Sequence, residues 1–263
     1  MTPRQFRITA SILGGAAIWE VAARLFAESA LVIVPISDVA RAFVRLAASG
    51  TLGRDVVVSS IEFGGGFALA ALVGIVAGLW MAVSATFRDL MYPWVSAFNS
   101  MPVVAVSPLL IIAFGIGLAS KIAVVFLVSV FTILINTLAG AENTDANLVD
   151  AARAYGASRL QIFLKVVLPS AMPYIVAGLR LGVARGLIGI VVGEMFGAQA
   201  GVGHLIMTSG EVFATADLYV GVLLLAVAGI LTTEALEWLE VRLAPWRVSV
   251  LSEPNRKAAR RGQ

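Results

Sequence analysis

The sequence contains no cysteine and a single histidine, His204. The first absence excludes disulfides, thiolate catalysis and cysteine-ligated metal. The second leaves no histidine cluster for a metal site. No Ser/His/Asp set and no pair of carboxylates stands at a credible catalytic position. Charge is also scarce: charged residues make up 13% of the chain and hydrophobic ones 59%, against about 25% and 45–50% in soluble domains. So much apolar side chain exceeds what a soluble core buries, and the chain reads as an integral membrane protein. No G-x-x-x-x-G-K-[ST] phosphate loop occurs, and the Gly115-Ile116-Gly117 and Gly201-Val202-Gly203 pairs do not replace one.

What is present is a series of long apolar runs. Six candidate spans fall at 8–27, 59–84, 92–114, 119–140, 170–195 and 217–238, each near the roughly 20 residues a helix needs to cross a bilayer. Pro93, Pro102 and Pro108 break or bend the third, which membrane helices tolerate where neighbouring protein satisfies the freed backbone groups. The first run is interrupted by Glu20 and Arg24, and further spans follow it. It therefore reads as an uncleaved helix rather than a signal peptide, despite the weak Ala27-Glu28-Ser29 cleavage signal.

Lysine and arginine cluster in the N-terminal tail, the 85–91 loop, the 141–169 loop and the tail after residue 240. The opposite side carries only Arg41, Arg45, Arg54 and Lys121. That asymmetry places both termini and the 141–169 loop in the cytoplasm. Segment 28–57 then lies outside, with Ser37-Asp38 starting a short amphipathic helix through Val39, Phe43, Leu46 and Ala47. The chain divides into an N-terminal helix and outer segment (1–56), a main membrane domain (57–240) and a basic tail (241–263). The tail reads as disordered, with contact to anionic lipid as a secondary reading.

The 143–169 segment is polar between oily neighbours. Asn143 and Thr144 can cap a helix, with Asp145 at the positive end of its dipole. Leu148, Ala151, Ala152 and Tyr155 share one face, and Gly156 suits the left-handed position that closes a helix. Ser158 and Gln161 form a capping box for a second helix with Leu160, Phe163, Leu164 and Val167 on its apolar face. Pro169 is expected to stop that helix and set the turn into the fifth span. From the residues alone, this is either an amphipathic loop on the membrane or a docking element whose alanines allow close approach.

The fifth span carries Gly178, Gly182 and Gly186, then Gly189, Gly193 and Gly197, each set spaced by four. Such G-x-x-x-G chains serve close helix packing, within the chain or against a second subunit. Arg180 lies near the cytoplasmic end and can snorkel, whereas Arg185 lies deeper. Arg185 either pairs with Glu194 or Glu62 or offers positive potential to an anionic substrate. Asn99, Asn136, Glu62 and Glu194 read as interhelical hydrogen-bond partners or as pathway lining. His204 reads as an ordinary loop residue.

Asp150-Ala151-Ala152, Gly156 and Leu168-Pro169, at their fixed spacings, resemble the EAA loop of ABC-importer permeases, with Asp where Glu is usual. Pro108-Leu109-Leu110, Phe114-Gly115-Ile116-Gly117, Ser120-Lys121-Ile122, Asn136-Thr137 and Pro173-Tyr174-Ile175 are similar to the nitrate/sulfonate/taurine branch of that family. So are Gly193-Glu194 and the run Gly201–Ile206, and the similarity covers most of 31–240. The outer Val34-Pro35-Ile36-Ser37-Asp38 stands where that branch more often has Pro-Ser-Pro-Ser.

The resemblance implies an all-α polytopic bundle of about six transmembrane helices, the type I ABC importer permease fold. It implies a coupling element of Asp150, Ala151, Ala152, Gly156, Leu168 and Pro169 that sits in a groove of a separate ATPase. The partners it implies are a second permease subunit (a homodimer), two cytoplasmic ATPase subunits holding ATP and Mg, and an external solute-binding protein. Membrane lipid surrounds the chain; no cofactor and no nucleic acid is bound by it. The expected location is the bacterial inner membrane, and the expected cargo is a small anion, a sulfonate or taurine ahead of nitrate or bicarbonate. The alternatives are a vitamin or pyrimidine precursor as cargo, or a stand-alone secondary transporter. The latter calls for inverted repeats, which are not evident, and leaves the 150–169 loop without a purpose.

Overall fold

The computed structural model describes residues 3–25 and 33–243. The basic tail beyond residue 243 and part of the outer segment, 26–32, lie outside the described residues. Long apolar segments can satisfy their backbone in a bilayer only as helices or closed barrels, and the described residues are helical without a strand. The helices are α1 (Pro3–Leu25), α2 (Ile36–Ala48), α3 (Thr51–Val83), α4 (Ala85–Asn99), α5 (Val103–Phe114) and α6 (Leu118–Glu142). They continue as α7 (Ala146–Ala154), α8 (Arg159–Ile162), a π turn (Phe163–Val167), α9 (Leu168–Met195), α10 (Val202–Glu211) and α11 (Thr215–Leu243).

Among the described residues, four helical segments are long and apolar enough to cross a membrane: Thr51–Val83, Leu118–Glu142, Arg159–Met195 and Thr215–Trp238. A fifth is added if α4 and α5 count as one span bent by 106°. The bend falls at Pro102, which precedes α5; its ring disfavours helix at Met101 and it has no N–H to continue the ladder. The expected first span, 8–27, is helical as far as Leu25, and residues 26 and 27 lie outside the described residues. Glu20 has a structural task within it. Its carboxylate accepts from the Ser37 N–H at 3.1 Å and hydroxyl at 2.9 Å, and it pairs with Arg24 at 2.6 Å. It thereby caps α2, whose own N-cap residue, Pro35, makes no side-chain cap bond.

The chain forms two compact units. The first comprises residues up to Ile61 together with Val191–Val227. Its core is Val34, Val39, Ala42, Leu52 and Val220, with Leu46, Leu205 and Tyr219 packed against it. The Trp19 indole donates to the Val34 carbonyl at 3.0 Å and its ring lies 5.3 Å from that of Tyr219. Arg45 pairs with Asp217.

The second unit comprises Glu62–Ile190 and residues from Ala228 onward. Here α3 and α6 pack backbone against backbone. A Cβ on Gly66, Gly74 or Gly78 would lie 2.7, 2.9 or 2.7 Å from the carbonyl oxygens of Ile122, Val130 and Leu134 respectively. The sequence offset is the same at all three contacts, so the two helices run in the same direction. Helices this close forgo side-chain bulk in exchange for dispersion contacts along their length.

Candidate coupling element and translocation site

The polar loop is built from its caps outward. α7 starts one residue later than the sequence suggests. The Asp145 side chain, not Asn143 or Thr144, accepts from the Asn147 N–H at 2.9 Å. Asn143 closes α6 instead, returning its amide to the Ala139 carbonyl at 2.8 Å. At the far end Gly156 has φ +77°. Its N–H bonds to Arg153 O at 2.9 Å, and the Ala157 N–H bonds to Ala152 O at 3.0 Å. These are the two bonds of a Schellman motif, which the left-handed glycine makes possible. Ser158 and Gln161 then make both halves of the capping box, at 3.3 and 2.8 Å.

No residue of α7 is buried. Leu148 is 54% and Tyr155 93% exposed, and Asp150 pairs with Arg153 at 3.0 Å on the open surface. The predicted face of Leu148, Ala151, Ala152 and Tyr155 is therefore largely uncovered by this chain.

Pro169 does not stop the helix. A continuous helical path runs from Arg159 to Met195. The proline lacks an N–H, and its ring would strike the Lys165 carbonyl in a regular α-helix. The turn before it widens to a π turn in which the Leu168 N–H bonds to Phe163 O, and the helix absorbs the proline there. The wider turn also shifts the inward register. Ile162 becomes the buried residue of α8, while Leu160 and Leu164 are exposed. Leu168 and Pro169 are half-buried at the start of α9 rather than on the open face of α7.

In the fifth span, the glycines of α9 face α6 of the same chain. A Cβ on Gly178, Gly182, Gly186 or Gly189 would come within 2.8, 2.9, 2.9 or 2.8 Å of Asn136, Ile133, Ser129 or Val128. Ser129 donates to the Gly182 carbonyl at 3.0 Å. Gly193, farther along, is buried.

Arg185 finds an amide rather than a carboxylate. Its Nη1 donates to Asn99 Oδ1 at 2.9 Å. The pair lines a cavity of about 150 Å³ whose other walls are Phe98, Met101, Val106, Leu127, Val128, Phe131 and Ile188. Asn136 does not join them; its amide donates back to the Thr132 carbonyl at 2.8 Å. Arg180 pairs with Glu237 at 3.5 Å.

Glu194, read as an interhelical hydrogen-bond partner or as pathway lining, makes interhelical hydrogen bonds. It is 1% exposed and accepts from the Ser59 hydroxyl and the Gly203 N–H, both at 2.5 Å. The Val202 N–H bonds to Ser59 Oγ at 2.8 Å, and the Gly201 N–H to Asp55 at 2.9 Å. Three successive N–H groups at the start of α10 are thus held by side chains from α3 and α9. An unpaired group there would carry a desolvation penalty. Gly201 is the N-cap with φ +125°, and a Cβ on it would lie 2.4 Å from the Glu194 carboxyl carbon. Asp55 and Ser59 carry no motif of their own in the sequence. With Glu62 they form a polar stripe at i, i+4, i+7 in an apolar helix, the one signal that pointed to them. Among the described residues no three His, Asp or Glu side chains are grouped to hold a metal.

The described residues combine membrane-spanning helices, a break between α4 and α5, a glycine-packed α9 and an exposed, capped helix pair. The structures of known proteins agree on the fold. The inward-facing MetNI methionine ABC transporter matches with TM-score 0.62 at 23% identity, over 73% of this chain and 96% of that one. A Bacillus subtilis permease named for aliphatic sulfonates, SsuC, is 34% identical over 89% of this chain and 84% of its own length. The taurine transport system permease protein TauC of Escherichia coli is 31% identical over 89% and 86%. The formylaminopyrimidine transport permease protein ThiX of Halalkalibacterium halodurans is 32% identical over 88% and 91%. The family described as "Binding-protein-dependent transport system inner membrane component" matches residues 70–248. The chain belongs to that family, as a multi-pass ABC importer permease of the nitrate/sulfonate/taurine type.

Proposed function

We propose that this chain is the translocation subunit of an ATP-driven importer for a small organic anion of the sulfonate class. It works as a homodimer with two cytoplasmic ATPase subunits and an external solute-binding protein, in a bacterial inner membrane with both termini cytoplasmic. ATP and Mg belong to the ATPase, because the chain has no phosphate loop. The observation that carries the reading is the α7–Gly156–α8 unit, rigidly capped at every end yet without a buried residue on α7. A helix that is well formed and uncovered is shaped for another surface, and Ala151 and Ala152 let that surface come close. Asp150, Ala151, Ala152 and Gly156 make the docking element, and Leu168 and Pro169 join it through the π turn to α9, which passes movement into the membrane.

Two relatives are named for sulfonate or taurine transport, and the exposed Arg185 suits an anionic cargo. ThiX keeps a pyrimidine precursor as the second reading. The experiment is ATP-dependent uptake by proteoliposomes holding the whole importer with its binding protein. Uptake of ethanesulfonate or taurine is expected. Uptake of a formylaminopyrimidine with none of either sulfonate would favour the second reading.

A further inference from the structure

Arg185 sits well inside α9, a helix long and apolar enough to span the membrane. A charge in that setting is costly unless it faces water, a cavity or a partner. In this chain its partner is neutral: Asn99 Oδ1 at 2.9 Å. The positive charge is therefore left uncompensated, and the side chain is exposed.

The two polar residues of the cavity present donors. A guanidinium has five N–H donors, of which the Asn99 bond engages Nη1. The same bond turns the Asn99 amide so that its NH₂ is the free end. Every other wall residue is apolar, from Phe98 and Met101 to Phe131 and Ile188, and none is acidic. With one fixed positive charge, free donors and no acid, such a lining favours an anion over a cation. The volume, about 150 Å³, is well below that of pockets for drug-sized ligands, about 300 Å³ or more. It suits an oxyanion head with a tail of a few carbons. Asn99 ends α4 directly before the 106° break into α5, and irregular backbone at membrane depth is tolerated where it is buried in protein or lines a cavity.

We infer that the Arg185–Asn99 cavity is an anion subsite of the translocation pathway. Arg185 and Asn99 hold the oxyanion head by hydrogen bonds, and Phe98, Phe131 and Ile188 receive a short apolar tail. The inference rests on the importer reading above and assigns that reading a place in this chain. Hydrogen bonds to a charged group are strong enough to matter. The apolar walls set an upper limit on tail length.

The test uses the complete importer in proteoliposomes, with methanesulfonate, ethanesulfonate and butanesulfonate as probes. Arg185→Gln is expected to lower ethanesulfonate uptake by roughly tenfold or more, the scale of one charge-assisted hydrogen bond, while binding-protein-stimulated ATP hydrolysis persists. Arg185→Lys should give intermediate uptake. Unchanged KM and rate in Arg185→Gln overturn the subsite, and leave Arg185 as a partner for an acid on another subunit. Should Arg185→Gln fail to assemble, Ile188→Phe narrows the cavity from an exposed wall. Butanesulfonate uptake should then fall more than methanesulfonate uptake, and an equal change in both overturns the assignment. A wild-type importer that moves no oxyanion overturns the functional reading as well. A wild type that moves ethanesulfonate, matched by Arg185→Gln, overturns the subsite alone.

Discussion

The Ser59 hydroxyl donates to the Glu194 carboxylate at 2.5 Å while its oxygen accepts the Val202 N–H at 2.8 Å. One hydroxyl thus ties α9 to the start of α10 inside a buried cluster. Ser59→Ala removes both bonds and leaves a buried N–H without its acceptor. The expected loss is about 1–3 kcal/mol, seen as a lower unfolding temperature of the purified permease followed by tryptophan fluorescence. An unchanged unfolding temperature would mean that the cluster does not hold α10.

Gly201 and Gly53 make a paired test. A Cβ on Gly201 would lie 2.4 Å from the Glu194 carboxyl carbon, at φ +125°. Gly53 lies within α3 with nothing inside 4 Å. Gly201→Ala should sharply lower the yield of monodisperse protein in size-exclusion chromatography. Gly53→Ala should be neutral or stabilising by up to about 1 kcal/mol, the helix-propensity difference. Equal yields from both variants would show that the cluster yields easily around an added methyl.

Pro169→Ala restores a missing N–H and removes the ring, so the π turn can relax to a regular α turn. Loss of the extra residue in that turn rotates α8 by about 100° against α9. Membrane insertion and yield should survive, while the amount of substrate moved per ATP hydrolysed falls. The ratio is measured directly in proteoliposomes, and an unaltered ratio would mean that the π turn has no part in coupling.

The Asp150–Arg153 pair is exposed on both sides, so it contributes roughly 0–1 kcal/mol to the fold. Arg153→Ala should leave the unfolding temperature within error. Its effect should appear in association with the ATPase, and should shrink as salt rises and screens the charge. A large fall in unfolding temperature would contradict the view of α7 as a helix that buries no residue of its own.

Local chemistry was readable where it is decided locally. Gly156 closes α7 and Ser158 with Gln161 starts α8 because each cap involves residues three to five apart. The glycines of α9 announced close packing by spacing alone, and the break around Pro102 followed from proline geometry. The rest depends on distant partners. Asp55 meets Gly201, and Ser59 meets Glu194, across more than a hundred residues, so neither end signals the other. Asn99 as the partner of Arg185 is hidden for the same reason. Pro169 misled because a proline predicts a stop unless the previous turn widens, and that widening has no local signature here. Glu20 and Arg24 interrupt the apolar run of α1 for a reason that lies in another helix: Glu20, paired with Arg24, caps α2 through Ser37.

If a separate ATPase drives this permease through the α7–Gly156–α8 unit, as proposed above, Gly156→Val must uncouple it. Nothing lies within 4 Å of a Cβ at Gly156, so the strain is confined to its backbone at φ +77°, at a cost of about 1–2 kcal/mol. The measurement is ATP-dependent ethanesulfonate uptake by the full importer in proteoliposomes. Normal insertion of the variant, weakened ATPase association and loss of most uptake are expected. Wild-type uptake by an inserted Gly156→Val permease would show that the unit does not couple the two.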